Sequence, residues 1–255
     1  HNIKEKKFRE KSLSLEIVKN LEFCLYKLVY RIGYMTPKCK RYYKLIYRVK
    51  DIKLHYLPIW RITNFEIGIK TKPTKLNRIV YCGQFSLTRD FNEIIKFLNQ
   101  INIRLDLYLT NYYKINNLER KTLKKNFSNL NIYPPLETNA VVPNLKKYGI
   151  GLVSLDKRLR FPSFPSKTMI YLQSSLPILF YGPDNNETCN LLGNPPYIHK
   201  TNLLTKTQII DAENFIFKYI NIRKDKKGRM ILKEDIEKLL IEFDPIKVTK
   251  EFLEL

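Results

Sequence analysis

The sequence predicts an α/β protein: a doubly wound parallel sheet, with helical segments at its N-terminal and C-terminal ends. Three observations predict it. Between Arg78 and Tyr181, five short β-rich runs alternate with segments of helical spacing, the pattern of a parallel sheet covered by helices on both faces. The runs stop at turn residues, with Gly83 after the first, Pro134-Pro135 after the third and Gly182-Pro183 after the fifth. The two ends of the chain lack this alternation and run in longer helical stretches.

Taken in order, residues 12–50 read as helical and rich in aromatic and cationic side chains, divided at Gly33 and Pro37. Leu54 to Trp60 is extended and apolar, and Asn64 to Asn77, which contains Lys70-Thr71-Lys72-Pro73-Thr74-Lys75, reads as a linker. Arg78–Cys82 is the first strand of the alternating region. Phe91, Ile94, Ile95 and Leu98 share one helical face, and Ile103–Leu109 is the second strand. A charged helix is expected over Asn116–Asn126, a third strand over Asn131–Tyr133 and a helix over Val141–Tyr148. Ile150–Leu155 reads as the fourth strand, Lys167–Ser174 as a helix and Pro177–Tyr181 as the fifth strand. Beyond them the spacing predicts helices over Lys206–Tyr219, Lys233–Phe243 and Pro245–Leu253, with a charged turn at Arg223–Arg229. Asp244 before Pro245 is an N-cap followed by proline at the first helical position.

The chain has 255 residues, 44% of them hydrophobic, which is enough for a sizeable core. Its formal charge is +22, and residues 1–61 hold sixteen lysines and arginines against five acids. Such a field attracts nucleic acid, anionic lipid or phosphorylated substrates, or simply solvates the surface. No helix-turn-helix, zinc finger or RNP motif supports nucleic-acid recognition. No uninterrupted apolar run approaches the ~20 residues that span a bilayer, and His1 to Lys11 is charged rather than apolar. A cytoplasmic location is expected, with the basic segment at the cytoplasmic face of a membrane. The start at His1 reads as a truncated or trimmed product. Cys24, Cys39, Cys82 and Cys189 are scattered without a CxxC pair and read as free thiols of a reducing compartment. His55 and His199 stand alone and read as structural.

Ligands of a doubly wound sheet bind beyond the carboxyl ends of the strands, where the strand order reverses. If the order is 3-2-1-4-5, the loops that meet there are Gly83 to Arg89 and Asp156 to Ser166. The first brings a flexible glycine, the Ser86 hydroxyl and the Arg89 guanidinium; Arg89 has a second option in pairing with Asp90 or Glu93. The other ends at Ser166, a residue type that caps helices, followed by Lys167 and Thr168 at the helix start, where anions are favoured. Gly83, Ser86, Arg89, Ser166, Lys167 and Thr168 are therefore the candidate diphosphate-binding residues. Neither loop carries GxxxxGK[ST] or GxGxxG, which disfavours a kinase, an ATPase or an ordinary dehydrogenase. No Ser-His-Asp arrangement or metal-ligand cluster is visible, and the catalytic residue itself is not read. Tyr171 reads as core.

The segments Ile79-Val80-Tyr81-Cys82-Gly83-Gln84-Phe85-Ser86, Asn131-Ile132-Tyr133-Pro134-Pro135-Leu136, Tyr148-Gly149-Ile150-Gly151-Leu152, and Phe164-Pro165-Ser166-Lys167 through Pro177-Ile178-Leu179 resemble, in that order, the C-terminal donor-binding domain of GT-B glycosyltransferases similar to family 4. The resemblance covers residues 78–192. It implies a Rossmann-like domain whose first-strand loop and lysine region hold a nucleotide-sugar diphosphate, and a retaining transfer without a bound metal. Two positions depart from the pattern. Ile170 stands where an acid usually binds the ribose, and Ser175 where a glycine usually precedes the proline strand.

The resulting expectation is a glycosyltransferase donor domain that binds a nucleotide-diphosphate sugar for transfer to a glycan or lipid-linked acceptor. Residues 1–61 are expected to be a helical remnant of an acceptor domain plus the crossover, 62–77 a linker, 78–200 the Rossmann-like domain and 201–255 the C-terminal helices. The expected partners are the nucleotide sugar, the acceptor and a peripheral membrane surface, with no specific nucleic acid, no cofactor and no metal. The alternative is a non-catalytic sugar-nucleotide or polyanion-binding module, which the loss of the acid at Ile170 favours.

Overall fold

The structure, a computed structural model, describes residues 13–59, 73–85, 91–115, 127–157, 163–184 and 187–254. The expected helix at Asn116–Asn126 and most of the expected linker lie outside them. The alternating region begins with β3 (Lys75–Gly83), after two shorter strands near the N-terminus. It continues through α3 (Asn92–Gln100), β4 (Arg104–Leu109), β5 (Leu130–Tyr133), α4 (Thr138–Leu145), β6 (Tyr148–Ser154), α5 (Lys167–Gln173), β7 (Ile178–Tyr181), the short α6 (Thr188–Leu191) and β8 (Ile198–Thr201). The six strands lie in the order β5-β4-β3-β6-β7-β8, and every adjacent pair is parallel. Counted within this sheet the order is 3-2-1-4-5-6, so the doubly wound reading holds, with the first and fourth strands adjacent. Every residue of β6 and β7 is buried, as expected of central parallel strands covered on both faces.

A buried polar layer ties four strands together. Asp106, fully buried in β4, accepts hydrogen bonds from Arg78 Nη1 (3.2 Å), the Tyr148 hydroxyl (2.8 Å) and Asn131 Nδ2 (2.8 Å), and Lys75 Nζ lies 3.7 Å away. Lys75 and Arg78 belong to β3, Asn131 to β5 and Tyr148 to β6. A slip of any one strand by a residue would turn its partner to the other face and strand the carboxylate. This explains two boundaries that the sequence misplaces. The first strand starts at Lys75, inside the expected linker, and the strand expected at Ile150 starts at Tyr148, so the preceding helix lies earlier, at Thr138–Leu145.

Three C-terminal helices close the sheet: α7 (Lys206–Lys224), α8 (Lys226–Ile241) and α9 (Pro245–Leu253). Thr205 caps α7 through a capping box with Gln208, and Asp244 caps α9 as its sequence predicts. The expected charged turn at Arg223–Arg229 is instead the joint of two helices. Arg223 lies inside the last turn of α7, buried, because its guanidinium donates to three carbonyls: Tyr148 O (3.0 Å), Ser175 O (2.5 Å) and Lys146 O (2.9 Å).

The N-terminal segment is a parallel strand–helix–strand unit. It comprises α1 (Leu13–Leu28), β1 (Ile32–Tyr34), α2 (Pro37–Tyr47) and β2 (Leu54–Tyr56), with Ile32 paired to Leu54. The sequence reads residues 12–50 as helical and misses β1, a strand of three residues too short to show alternation. Thr36 caps α2 by accepting from Cys39 N (3.2 Å), with Pro37 at its start. Arg31 donates to the Phe252 and Leu253 carbonyls (2.9 and 3.0 Å), and His55 packs edge-on against Phe252, so α9 ties this unit to the rest. Among the described residues, no helix is long and apolar enough to cross a membrane.

Candidate functional site

The site forms where β3 and β6 part. Their pairing runs to Val80 and Gly151, whereas β3 and β4 stay paired to Gly83 and Leu109. Beyond Val80 the β6 side of β3 has no strand partner, and a side chain from α5 takes its place. Cys82 N–H donates to the Tyr171 hydroxyl (3.0 Å), and the Tyr171 ring lies flush on Gly151, where an added Cβ would come within 2.6 Å. Fully buried, Tyr171 is core, as expected. It wedges the switch point open and satisfies the backbone donor that the splayed strands would orphan.

Lys167 lies four residues before Tyr171 and so on the same helical face. Its ammonium sits 4.0 Å from the centroid of the Tyr81 ring. It also lies 2.9 Å from the position a Cβ on Gly83 would take. Gly83 has φ +152°, a conformation that side chains disfavour, and here a side chain would also strike the ammonium. The end of the first strand and the start of the helix thus meet at the carboxyl rim of the sheet. The Cys82 thiol is pushed up to about 12 by burial, which the Lys167 charge partly offsets; held as a neutral thiol, it is no nucleophile.

The neck of the loop after β3 is fixed. The Tyr81 hydroxyl donates to Gln84 O (2.9 Å), Asn111 Oδ1 accepts from Phe85 N (2.9 Å) and Asn111 Nδ2 donates to Phe85 O (2.7 Å). Phe85 stacks on Phe91 at 5.3 Å, joining the two ends of the segment that contains Ser86 and Arg89. Those two candidates lie outside the described residues. Across the rim, Lys157 Nζ reaches both Glu93 oxygens at 2.9 Å, and the Tyr181 hydroxyl donates to Glu93 Oε2 (3.0 Å). The Lys157 hydrogen bonds, against some desolvation and with help from Tyr181, hold the Glu93 carboxyl below its usual range.

Of the expected helix-start residues, Lys167 is placed in the cleft and Thr168 is fully buried, its Oγ1 without a partner among the described residues. Ser166 departs from expectation. It is exposed, helical in conformation (φ −56°, ψ −30°), and makes no capping hydrogen bond. The first amides are engaged in tight turns instead, Thr168 N to Pro165 O (3.0 Å) and Met169 N to Ser166 O (3.1 Å). Tyr81, Asn111 and the Glu93–Lys157 pair are the parts that sequence reasoning misses. Asn111 meets Phe85 across 26 residues with no local signal, whereas Tyr81 sits two residues before Gly83 on the same face of its strand and is findable there. Among the described residues no cluster of His, Cys, Asp or Glu is arranged to hold a metal ion.

The N-terminal unit reaches the same rim. Lys38 N, at the start of α2, donates to Glu187 Oε2 (3.0 Å), just past the carboxyl end of β7.

No protein-family model and no curated protein matches the sequence. Solved structures do match the fold. A glycosyltransferase from Rickettsia africae is similar at TM-score 0.70 and 11% identity, over 92% of this chain and 66% of that one. The pneumococcal O-GlcNAc transferase GtfA, solved with UDP and GlcNAc, is similar at TM-score 0.57 and 11% identity, over 92% and 46%. A point mutant of S. aureus TarM, solved with fondaparinux, alpha-GlcNAc-glycerol and UDP, is similar at TM-score 0.60 and 11% identity, over 90% and 44%. The chain spans about half the length of the last two. The parallel order 3-2-1-4-5-6 and these likenesses together give β3 to β8 the Rossmann-like fold of the C-terminal half of GT-B glycosyltransferases.

Proposed function

We propose that this chain is the donor-binding part of a glycosyltransferase, holding a nucleotide-diphosphate sugar at the parting of β3 and β6. The observation that carries the reading is the Lys167 ammonium set 2.9 Å from where a Gly83 Cβ would be, at the rim where doubly wound sheets bind ligands. The bare glycine lets the Lys167 ammonium sit against the end of β3, where it supplies charge to a phosphate at the rim. When the acceptor oxygen attacks the anomeric carbon and the sugar–phosphate bond breaks, negative charge grows on the departing diphosphate. A cation fixed at that point stabilises the transition state more than the ground state. Arg89 and Ser86, on the segment between Phe85 and Phe91, are proposed to complete the cradle, with no metal required.

Residues 1–61 are proposed as the acceptor-side segment. The two strands of the N-terminal unit are three residues each, and Leu21, Leu25 and Leu28 on α1 are exposed, a surface suited to packing against further acceptor-side structure. Its basic and aromatic side chains also suit a membrane surface that carries lipid-linked acceptors. Ile170 favours a second reading, a sugar-nucleotide-binding module without catalysis, because its side chain cannot bond a ribose.

Thermal melts with UDP, GDP and ADP test the proposal. A diphosphate at 100 times its Kd adds about 2.7 kcal/mol to native-state stability. At least one should raise the melting temperature, and Lys167→Ala should remove most of the shift. No shift from any of the three would remove the basis of the reading.

A further inference from the structure

A cavity of about 510 Å³ opens at the other end of the sheet, at the amino ends of β3 and β4 and beside the last turn of α7. Its polar lining is Thr74, Lys75, Asn77, Arg78, Asn102, Arg104 and Lys224. Four basic residues and two asparagines line one space, and among the described residues none of its lining is a carboxylate. Asp106, buried behind it, accounts for Lys75 and Arg78, which flank it at 3.7 and 3.2 Å. It does not account for the other two. The side chain of Arg104, exposed at the first position of β4, has no hydrogen bond or ion pair among the described residues, and Lys224 Nζ makes only a long contact to Asn221 Oδ1 (3.4 Å). The neighbouring Asp225 carboxylate is turned to Gly228 N (2.6 Å), where it caps α8.

Four cations sharing one buried carboxylate leave an excess of three positive charges around a concave surface. Folding alone does not favour such an arrangement, since like charges held together repel. Two arginine forks flanked by amides match the oxygens of phosphate groups, and more than one group is needed to use all four cations. No aromatic side chain lines the space to stack on a nucleobase.

We propose that this cavity is a second anion site, which takes a compact ligand carrying two or more linked phosphates. It is separate from the donor cleft. Gly83 lies five positions along the strand from Arg78, about 17 Å at ~3.3 Å per residue, so one diphosphate does not fill both. The site does not depend on the glycosyltransferase reading.

The test is titration of the chain with inorganic triphosphate at fixed ionic strength, read by calorimetry and by melting temperature. Four variants accompany the wild type. Arg104→Glu/Lys224→Glu inverts the two uncommitted cations, and Arg104→Lys/Lys224→Arg keeps the charge. Lys206→Glu/Lys238→Glu makes the same charge change elsewhere; Lys206 lies at the far end of α7, about 27 Å from Lys224 at ~1.5 Å per residue. Lys167→Ala disables the donor cleft. The proposal expects a saturable triphosphate site that persists in Lys167→Ala, weakens at least tenfold in the first variant, and stays within threefold of wild type in the Arg104→Lys/Lys224→Arg and Lys206→Glu/Lys238→Glu variants. Circular dichroism confirms that each variant is folded, and both side chains altered in the first variant are exposed. The proposal is overturned by no saturable binding, by an equal loss in the Lys206/Lys238 variant, which would mean diffuse attraction to a basic chain, or by abolition of all saturable binding in Lys167→Ala, which would place the triphosphate in the donor cleft alone.

Discussion

Replacing Ser175 with glycine should stabilise the protein. Ser175 ends α5 in a Schellman arrangement: its own N–H bonds Leu172 O (2.8 Å), and Leu176 N bonds Tyr171 O (3.0 Å). That geometry puts Ser175 at φ +52°, which costs a residue with a side chain about 1–2 kcal/mol. The side chain is also buried, with its hydroxyl lacking a partner among the described residues, a cost of about 1–3 kcal/mol. Glycine removes both, against roughly 0.5–1 kcal/mol for its greater freedom in the unfolded chain and some lost packing. The carbonyl that receives Arg223 stays where it is. A net gain of about 1–2 kcal/mol follows, a rise in melting temperature of roughly 2–8 °C for a chain of this size. Urea and thermal denaturation followed by circular dichroism measure it, with Ser175→Ala as the companion that removes the hydroxyl and keeps the backbone strain. The expected order is glycine above alanine above wild type. A glycine variant no more stable than the alanine variant would refute the strain argument, and an alanine variant below wild type would refute the hydroxyl argument.

Three further outcomes follow from the same geometry. Tyr171→Phe keeps the ring on Gly151 but orphans the Cys82 N–H, and should cost about 1–3 kcal/mol in urea midpoint analysis; stability equal to wild type would show that this donor is satisfied otherwise. Asp106→Asn removes the charge that Lys75 and Arg78 surround, and because both cations are partly solvated the loss should fall near the lower end of the ~3–5 kcal/mol range for broken buried pairs. A change below about 0.5 kcal/mol, the scatter of neutral surface substitutions, would contradict the role of that layer. His199, stacked on Phe215, has its pKa lowered by burial, with Asp211 opposing. Below its unfolded value near 6.5 the unfolded chain takes up the proton first, so stability present above that pH declines as pH falls through and below it. Melting temperature should drop between pH 7.5 and 5.5, and less so in His199→Gln; identical slopes would remove His199 from the account.

The sheet is legible because its strands alternate with helices and stop at glycine and proline, and the order that brings Gly83 and Lys167 together follows once the common doubly wound topology is supposed. What escapes is either very short or held by distant partners. β1 has three residues, too few to show a period. Arg223 sits in a run of charges that reads as a turn until the carbonyls of Lys146, Tyr148 and Ser175 reach it across 48 to 77 positions. Ser166 is the right residue type for a cap, but the tight turns from Pro165 leave its side chain in solvent. Ser175 is visible in the sequence as a departure from a glycine, and the structure supplies the reason in a left-handed backbone that glycine adopts without strain.

Crystals grown with UDP test most directly whether a nucleoside diphosphate binds at the rim beside Gly83 and Lys167. Both phosphorus atoms are expected at the carboxyl rim of β3, with phosphate oxygens about 3 Å from Lys167 Nζ and no side-chain bond from Ile170 to the ribose. UDP seated instead in the cavity of Arg104 and Lys224, or a donor cleft that stays empty at saturating UDP, would contradict binding at the rim.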